Sequence, residues 1–257
     1  MVERYIDLSG FYDRTGLQPL KEQILDATAE YQGHYKRVYR CLGAAGELRR
    51  DLNELLADES VRHRLAKRAA GIISRELKKP GGSGQESQCF LSAVTHQGLV
   101  TLWETVEAQA NRVYELADSY GLAHDLLNPI LTAALAAGHR AIVCPDPMAP
   151  DRLAHLIFPD LSLAFVTAGE APWPHHAYRR LRLDAMADAE ACRANRPRLR
   201  FTRKVAAALV DEGVAALTQA KQAHDRLEQL YNPHVDFGGV TTLADQLADQ
   251  VLALNRI

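Results

Sequence analysis

The segment 117–125 contains the residues on which the chemistry of this chain most depends. It follows an apolar strand candidate at 112–117, precedes a helix candidate at 125–137, and is followed by a strand candidate at 140–144. Strand, turn, helix and strand form a βαβ unit, and nucleotide-binding folds hold phosphate in the first turn of such a unit. The candidate binding residues are therefore Ser119, Tyr120, Gly121, Leu122, Ala123, His124 and Asp125.

The composition of this loop argues against catalysis. A working phosphate loop needs several glycines, a lysine for the phosphate charge, and a Ser or Thr hydroxyl for Mg²⁺. Here Gly121 is the one glycine, no lysine is present, and Asp118 and Asp125 would repel phosphate. The helix N-terminus offers only about half an elementary charge. We therefore expect no ATP hydrolysis and no cofactor, with ATP and Mg²⁺ binding kept as an alternative.

A third strand candidate at 161–166 would place its last residue beside this loop. Open α/β sheets collect their sites at the carboxyl ends of their strands, where an acidic side chain commonly orients a metal ion. Thr167 occupies that position, and Glu170 follows three residues later. Both residues are kept as candidate binding residues.

His175 and His176 are the other group that could do chemistry, since they follow Trp173 in a loop after this strand. Adjacent histidines point apart in a strand and about 100° apart on a helix, so they cannot bind one ion without a third ligand at suitable spacing. We predict no metal site, and a histidine-dependent metal hydrolase stays as a third alternative. The region 146–156 reads as a proline-rich turn followed by a helix that Asp151 caps.

Composition narrows the class of protein. The chain has 257 residues, 47% of them hydrophobic, and a net charge of −2. These values indicate a globular protein and give no electrostatic case for nucleic acid or an anionic membrane. The apolar runs are too short to span a bilayer and the N-terminus lacks a signal-peptide core, so we expect a cytoplasmic protein. The four cysteines are scattered singly, which favours free thiols.

Hydrophobic periodicity predicts long helices on both sides of the α/β segment. Pro80–Gly84 resembles the start of a phosphate loop but lacks the lysine and follows a charged helix, so we interpret it as part of a linker. The remaining predictions are helices at 17–56, 59–78, 102–111, 179–194, 197–231 and 242–254, and a strand pair within 89–100 that turns at 96–98.

The order of elements resembles a family of largely uncharacterised bacterial P-loop ATPase-like proteins, built as two tandem copies of a nucleotide-binding domain with long helical hairpins. Residues 89–237 are similar to a second copy and residues 5–78 to the tail of a first copy. The resemblance rests on Arg112–Leu116, Gly138–Cys144, Pro150–Leu153, Ile157–Val166 and Ala171-Pro172.

The resemblance implies a P-loop NTPase fold with a degenerate Walker A loop. The lysine of the family's loop falls at Ala123, its serine at His124, and its acidic strand end at Thr167. These three positions are the ones that phosphate and metal chemistry requires. The resemblance therefore implies the fold and a tandem ancestry while opposing ATPase activity.

We thus predict an α/β fold: a P-loop NTPase-like, mainly parallel sheet with long antiparallel helical extensions. The expected organisation is a helical segment at 1–78, a linker at 79–88, the α/β core at 89–196, and a helical hairpin at 197–257 packing on 1–78. The first functional hypothesis is a pseudo-ATPase that acts as a binding or assembly module, with a protein partner or homo-oligomer through the long helices and neither nucleic acid nor membrane. The alternative is residual nucleotide or phosphometabolite binding at 117–125, assisted by Glu170 or His175.

Overall fold

The computed structural model describes residues 5–77, 81–169 and 172–254. Within them the chain is α/β, with a six-stranded sheet, a two-stranded sheet and two helices of 36 residues each. The helices are α1 (Arg14–Leu17), α2 (Lys21–Leu56), α3 (Glu59–Glu76), α4 (Trp103–Gln109), α5 (Ala123–Ala136), α6 (Ala189–Ala194), α7 (Arg196–Tyr231) and α8 (Phe237–Leu254). The strands are β1 (Gln85–Gln88), β2 (Ser92–Thr95), β3 (Gly98–Thr101), β4 (Arg112–Ala117), β5 (Arg140–Asp146), β6 (Ala149–Phe158), β7 (Leu163–Ala168) and β8 (Arg179–Arg182).

The large sheet is mainly parallel. Its strand order is β1-β5-β6-β7-β4-β8, and β6 runs antiparallel to both of its neighbours while the other pairs are parallel. In the β4–β7 pair Leu116 lies opposite Thr167. The carboxyl ends of these two strands therefore meet at one edge of the sheet, which brings the 117–125 loop next to Thr167.

Both faces of the sheet are buried, as is typical of parallel sheets. Alternate residues of the strands pack on opposite sides: Tyr114 and Phe165 join the core formed with α3 and α5, whereas Val113 and Val166 join a smaller core with α4. Tyr114 and Phe165 stack with ring centroids 4.8 Å apart. This two-sided burial fixes the ends of β4 and β7, because a one-residue slip would exchange the two faces.

Several predicted elements are confirmed. The strands at 112–117, 140–144 and 161–166 correspond to β4, β5 and β7, and the turn at 96–98 joins β2 to β3. Gly138 has a φ of +87° just beyond α5, which is the left-handed conformation expected of a glycine that ends a helix. The helix α7 ends at Tyr231, immediately before Asn232-Pro233.

Three segments differ from the prediction. The predicted helix that Asp151 would cap is instead the strand β6, the predicted helix at 179–194 begins with the strand β8, and the predicted linker at 79–88 ends in the strand β1. All four residues of β1 are exposed and polar, so no hydrophobic alternation marks it. Its pairing with β5 is decided by backbone hydrogen bonding at the sheet edge.

The strand β6 forms because it makes a hairpin with β5. Asp146 Oδ1 accepts a hydrogen bond from Met148 N at 2.8 Å, which closes the turn, and Asp146 lies opposite Ala149 in the ladder. The final residues Leu156, Ile157 and Phe158 are fully buried between β5 and β7. The helix prediction relied on the Pro150-Asp151 capping pattern, but the Asp151 side chain is exposed and pairs with Arg50.

The chain divides into two compact units, Met1–Lys36 with Ala216–Ile257, and Arg37–Ala215. The first contains α1, α8 and parts of the long helices, joined by the ion pair of Glu30 with Arg226 and by the ring contact of Tyr31 with His224. The second contains all eight strands and the remaining parts of α2 and α7, where Arg37 pairs with Glu212 at 2.7 Å. No helix in the described part of the chain is long and apolar enough to cross a membrane.

Candidate functional site

Asp118, the first residue of the loop between β4 and α5, forms hydrogen bonds with the backbone of that loop. Asp118 is buried, and its two carboxylate oxygens accept hydrogen bonds from the backbone N–H groups of Tyr120 at 3.0 Å and Ala123 at 2.6 Å. Gly121 makes the turn with a φ of +74°. A carboxylate therefore occupies the position inside the loop where backbone amides would otherwise bind an external anion.

A second carboxylate binds the outer side of the same loop. Asp184 lies on the short 3-10 turn Leu183–Met186, and it accepts hydrogen bonds from the backbone N–H and the hydroxyl of Ser119, both at 2.7 Å. The amides of Ser119, Tyr120 and Ala123 are thus all satisfied from within the chain. A phosphate would have to displace two acidic side chains before it could reach them.

Burial raises the pKa of the Asp118 carboxyl above its ordinary value, and the hydrogen bonds from Ala123, Leu122 and Tyr120 oppose that rise. The nearby Asp184 charge raises the pKa further. Both effects follow from placing one carboxylate in a dry loop beside another. A third negative group, such as nucleotide phosphate, would meet the same unfavourable environment.

His124, at the start of α5, is tied to the neighbouring hairpin. Its Nδ1 accepts a hydrogen bond from the backbone N–H of Leu153 at 3.0 Å. Burial, and secondly the Arg152 charge, lower the pKa of His124 below its ordinary value. The neutral ring therefore carries its proton on Nε2. Ala123 is buried, and neither residue provides the ammonium or hydroxyl that phosphate and Mg²⁺ need.

Three side chains from other elements hold the outward-facing part of the loop. Asn53 of α2 donates to the carbonyl oxygens of Tyr120 and Gly121 at 3.3 and 3.1 Å, and Arg152 of β6 donates to Gly121 O at 2.7 Å. The Arg203 guanidinium of α7 lies 4.7 Å from the centroid of the Tyr120 ring. The loop is fixed on both sides, so its closed form does not depend on Asp118 alone.

Thr167 belongs to a partly buried group of hydrogen-bonded polar residues next to the loop. Its hydroxyl donates to Ala154 O, and its backbone N–H donates to His155 Nδ1 at 3.1 Å. His155 Nε2 lies 3.3 Å from the Ser92 hydroxyl, which also contacts the Thr101 hydroxyl at 3.0 Å. These bonds occupy Thr167, so its hydroxyl does not replace the carboxylate that would orient a metal ion.

Ser92 and His155 do not form a nucleophile and its base. Burial lowers the pKa of His155 to about 4, so the ring is neutral at neutral pH. Because Nδ1 accepts the Thr167 N–H, the proton is on Nε2 and points toward Ser92. Proton abstraction from Ser92 requires an unprotonated Nε2. The pair is therefore a structural hydrogen bond within the described site.

These elements enclose a cavity of about 490 Å³. It combines the loop with the hairpin β5–β6, the end of β7, and residues of α2 and α7, all from the unit Arg37–Ala215. Of the predicted site residues, those that line it are Ser119, Tyr120, Gly121, Ala123, His124 and Thr167. Leu122 is in the apolar core and Asp125 is outside the lining, while Glu170 falls outside the described residues.

His175 is exposed and separate from this cavity. Its Nε2 lies 2.6 Å from Glu107 Oε1, and its ring makes an edge contact with Trp173. Among the described residues, the group of three side chains with metal-ligand spacing is instead His224, Asp225 and Glu228 on α7. That group is partly exposed on one helix face, and Lys221 pairs with Asp225. Exposed groups of this kind are common on helices without a bound ion, so we assign no metal site to it.

The sequence did not identify Asn53, Arg152, Arg203 or His155 as site residues. Each lies on an element far from 117–125 in the chain, so the local pattern gives no signal for them. Asp118 carried a usable signal, since an Asp at the start of a turn commonly accepts hydrogen bonds from amides a few residues on.

Comparisons of the chain with protein-family models, with curated proteins and with solved structures found no match.

Proposed function

We propose that this chain is a P-loop NTPase-like protein that does not hydrolyse ATP and serves as a binding or assembly module. The observation that carries the proposal is the Asp118 carboxylate inside the 117–125 loop, bonded to the amides of Tyr120 and Ala123. The order of elements supports the relationship: a strand, this loop and a helix, with the parallel strand β7 beside the first strand and Thr167 near its carboxyl end.

Two requirements of ATP hydrolysis are unmet in the loop itself. The transferred phosphate needs a positive charge and a metal ion to stabilise its transition state. Ala123 stands where the lysine would be, and His124 stands where the metal-binding hydroxyl would be. The internal carboxylate of Asp118 adds a negative charge at the same place. These features support a site that has lost catalysis.

Exposed apolar side chains on the long helices support an assembly role. Leu25 on α2, Phe201 on α7, and Val251 and Leu252 on α8 each expose more than half of their surface. Each of these exposed apolar side chains is a candidate contact with another protein. We expect a second copy of this chain or another protein to bind there. Light scattering over a range of protein concentrations would test self-association, and a monomer at every concentration would exclude the second copy.

The nucleotide question is decided with the purified chain. Millimolar ATP with Mg²⁺ is expected to leave the melting temperature unchanged, and no phosphate release above that of a mock purification is expected. Hydrolysis of ATP that Asp118→Asn alters would overturn the proposal. The Asp118→Asn variant is the matched control because it changes the loop carboxylate while leaving a contaminating ATPase unaffected.

A further inference from the structure

The cavity beside the 117–125 loop is lined by more arginines than aspartates. Its lining contains four arginines and two aspartates: Arg49, Arg50, Arg152 and Arg203, and Asp118 and Asp146. Both aspartates bond to backbone amides, Asp118 within the loop and Asp146 to Met148 N.

Two of these arginines, Arg152 and Arg203, differ from Arg50 in their partners. Arg50 forms a two-bond pair with Asp151, whose oxygens lie 3.2 Å from its terminal nitrogens. In the part of the chain that the structure describes, neither Arg152 nor Arg203 forms an ion pair with a carboxylate. Their charges remain open to an anion from solution.

The guanidinium groups of Arg203 and Arg152 contact neighbouring residues of the 117–125 loop. Arg203 stacks on the Tyr120 ring, and Arg152 bonds to the Gly121 carbonyl. Each contact uses one face or one nitrogen of a group that has five N–H donors, so donors remain for a second partner. The planar guanidinium suits the paired oxygens of a carboxylate or phosphate. Because their positions are fixed before a ligand arrives, less entropy is lost on binding.

The rest of the wall is largely apolar. Its hydrophobic side chains come from four different elements and the β5–β6 turn: Leu52, Leu99, Met148, Leu153 and Ala206. A cavity of about 490 Å³ is within the range that binds small organic molecules. A cavity lined by both charged and apolar side chains suits a ligand that has both a charged and an apolar part.

We propose that this cavity binds a small organic anion, whose carboxylate or phosphate group contacts Arg152 and Arg203 and whose apolar part contacts Leu52, Leu99 and Met148. The inference extends the proposed function. Because Asp118 already accepts the hydrogen bonds of the loop amides, the anion is bound by the two arginine side chains and not by the loop backbone. The site is therefore distinct in its chemistry from a nucleotide phosphate loop.

Calorimetric titration with three matched probes tests the proposal. Phenyl phosphate and benzoate carry the anionic group on an aromatic ring, and benzamide is the neutral counterpart of benzoate. Saturable binding is expected for at least one anion and not for benzamide. Arg152→Gln and Arg203→Gln are each expected to weaken binding by about tenfold, which corresponds to about 1.4 kcal/mol. Arg200→Gln is the control, because Arg200 is exposed on the same helix as Arg203 and does not line the cavity.

Three results would overturn the inference: no binding of either anion, benzamide binding as well as benzoate, or an Arg200→Gln effect equal to that of the two cavity variants. Comparing the phenyl phosphate and benzoate titrations shows which anionic group the site prefers. The ATP experiment is separate, since nucleotide hydrolysis would contradict the proposed function while leaving these titrations to decide the cavity. Circular dichroism of each variant confirms that a loss of binding is not a loss of fold.

Discussion

The carboxylate of Asp118 accepts a hydrogen bond from the backbone N–H of Ala123 at 2.6 Å, across the turn that joins β4 to α5. The bond connects the first residue of the loop to the first residue of the helix. It thereby satisfies a helix N-terminal amide from inside the protein, in a position where related loop geometries use a bound anion. The loop is complete without a ligand.

Replacing Asp118 with alanine should destabilise the loop. The N–H groups of Tyr120 and Ala123 would lose their acceptor, and unsatisfied buried donors cost about 1–3 kcal/mol. We expect the free energy of unfolding to fall by roughly that amount, with faster hydrogen exchange at the Ala123 amide. Glu54→Ala, at an exposed position of α2, is the control. Unchanged exchange at Ala123 would show that the loop does not depend on this bond.

His155 should make stability depend on pH in the acidic range. The folded protein lowers the pKa of His155 from 6.5 to about 4, so it favours the neutral ring. The resulting stabilisation is complete above pH 6.5 and is lost as the pH falls toward 4; it amounts to roughly 3 kcal/mol. His155→Gln should flatten this part of the profile in urea unfolding. His63→Gln, exposed on α3, should reproduce the wild-type slope, and a slope unchanged in His155→Gln would refute the assignment.

Glu76 should be among the most sensitive positions of the sheet–helix core. Its buried carboxylate accepts hydrogen bonds from the Tyr114 hydroxyl and from Arg112 Nη1, both at 2.6 Å. Glu76→Ala would leave these donors without their acceptor, and losing a hydrogen bond to a charged group costs about 1.5–3 kcal/mol. Chemical denaturation measures the loss. A cost below that of the exposed Glu59→Ala control would contradict this role.

Two glycines of α2 should respond oppositely to alanine. A Cβ at Gly46 would collide with the backbone oxygen of Met148, whereas a Cβ at Gly43 would meet no atom within 4 Å. Gly46→Ala should cost about 1–3 kcal/mol because a backbone atom must move. Gly43→Ala should stabilise the helix by up to about 1 kcal/mol. The difference in melting temperature between the two variants measures the cost of a side chain at the contact between Gly46 and Met148. Equal melting temperatures would show that the β5–β6 hairpin shifts at no energetic cost.

The sequence predicted elements wherever local patterning and turn chemistry agree. The apolar strands β4, β5 and β7 and the helix end at Gly138 have both signals, and they were found at their observed positions. The strand β1 has neither, because all of its side chains are exposed and only ladder pairing defines it. In β6 a capping pattern suggested a helix, but burial of its last residues between two strands decided the conformation.

The sequence by itself determined that the 117–125 loop lacks a lysine, a hydroxyl at its helix start and all but one glycine. Those are properties of residue type and need no fold. Only the tertiary structure decided what fills the loop and what surrounds it. Asp118 turns inward, and Arg152 and Arg203 reach the loop from β6 and α7. Hydrogen bonds and charges act over a few ångströms, so their partners are set by chain packing and not by separation in the sequence.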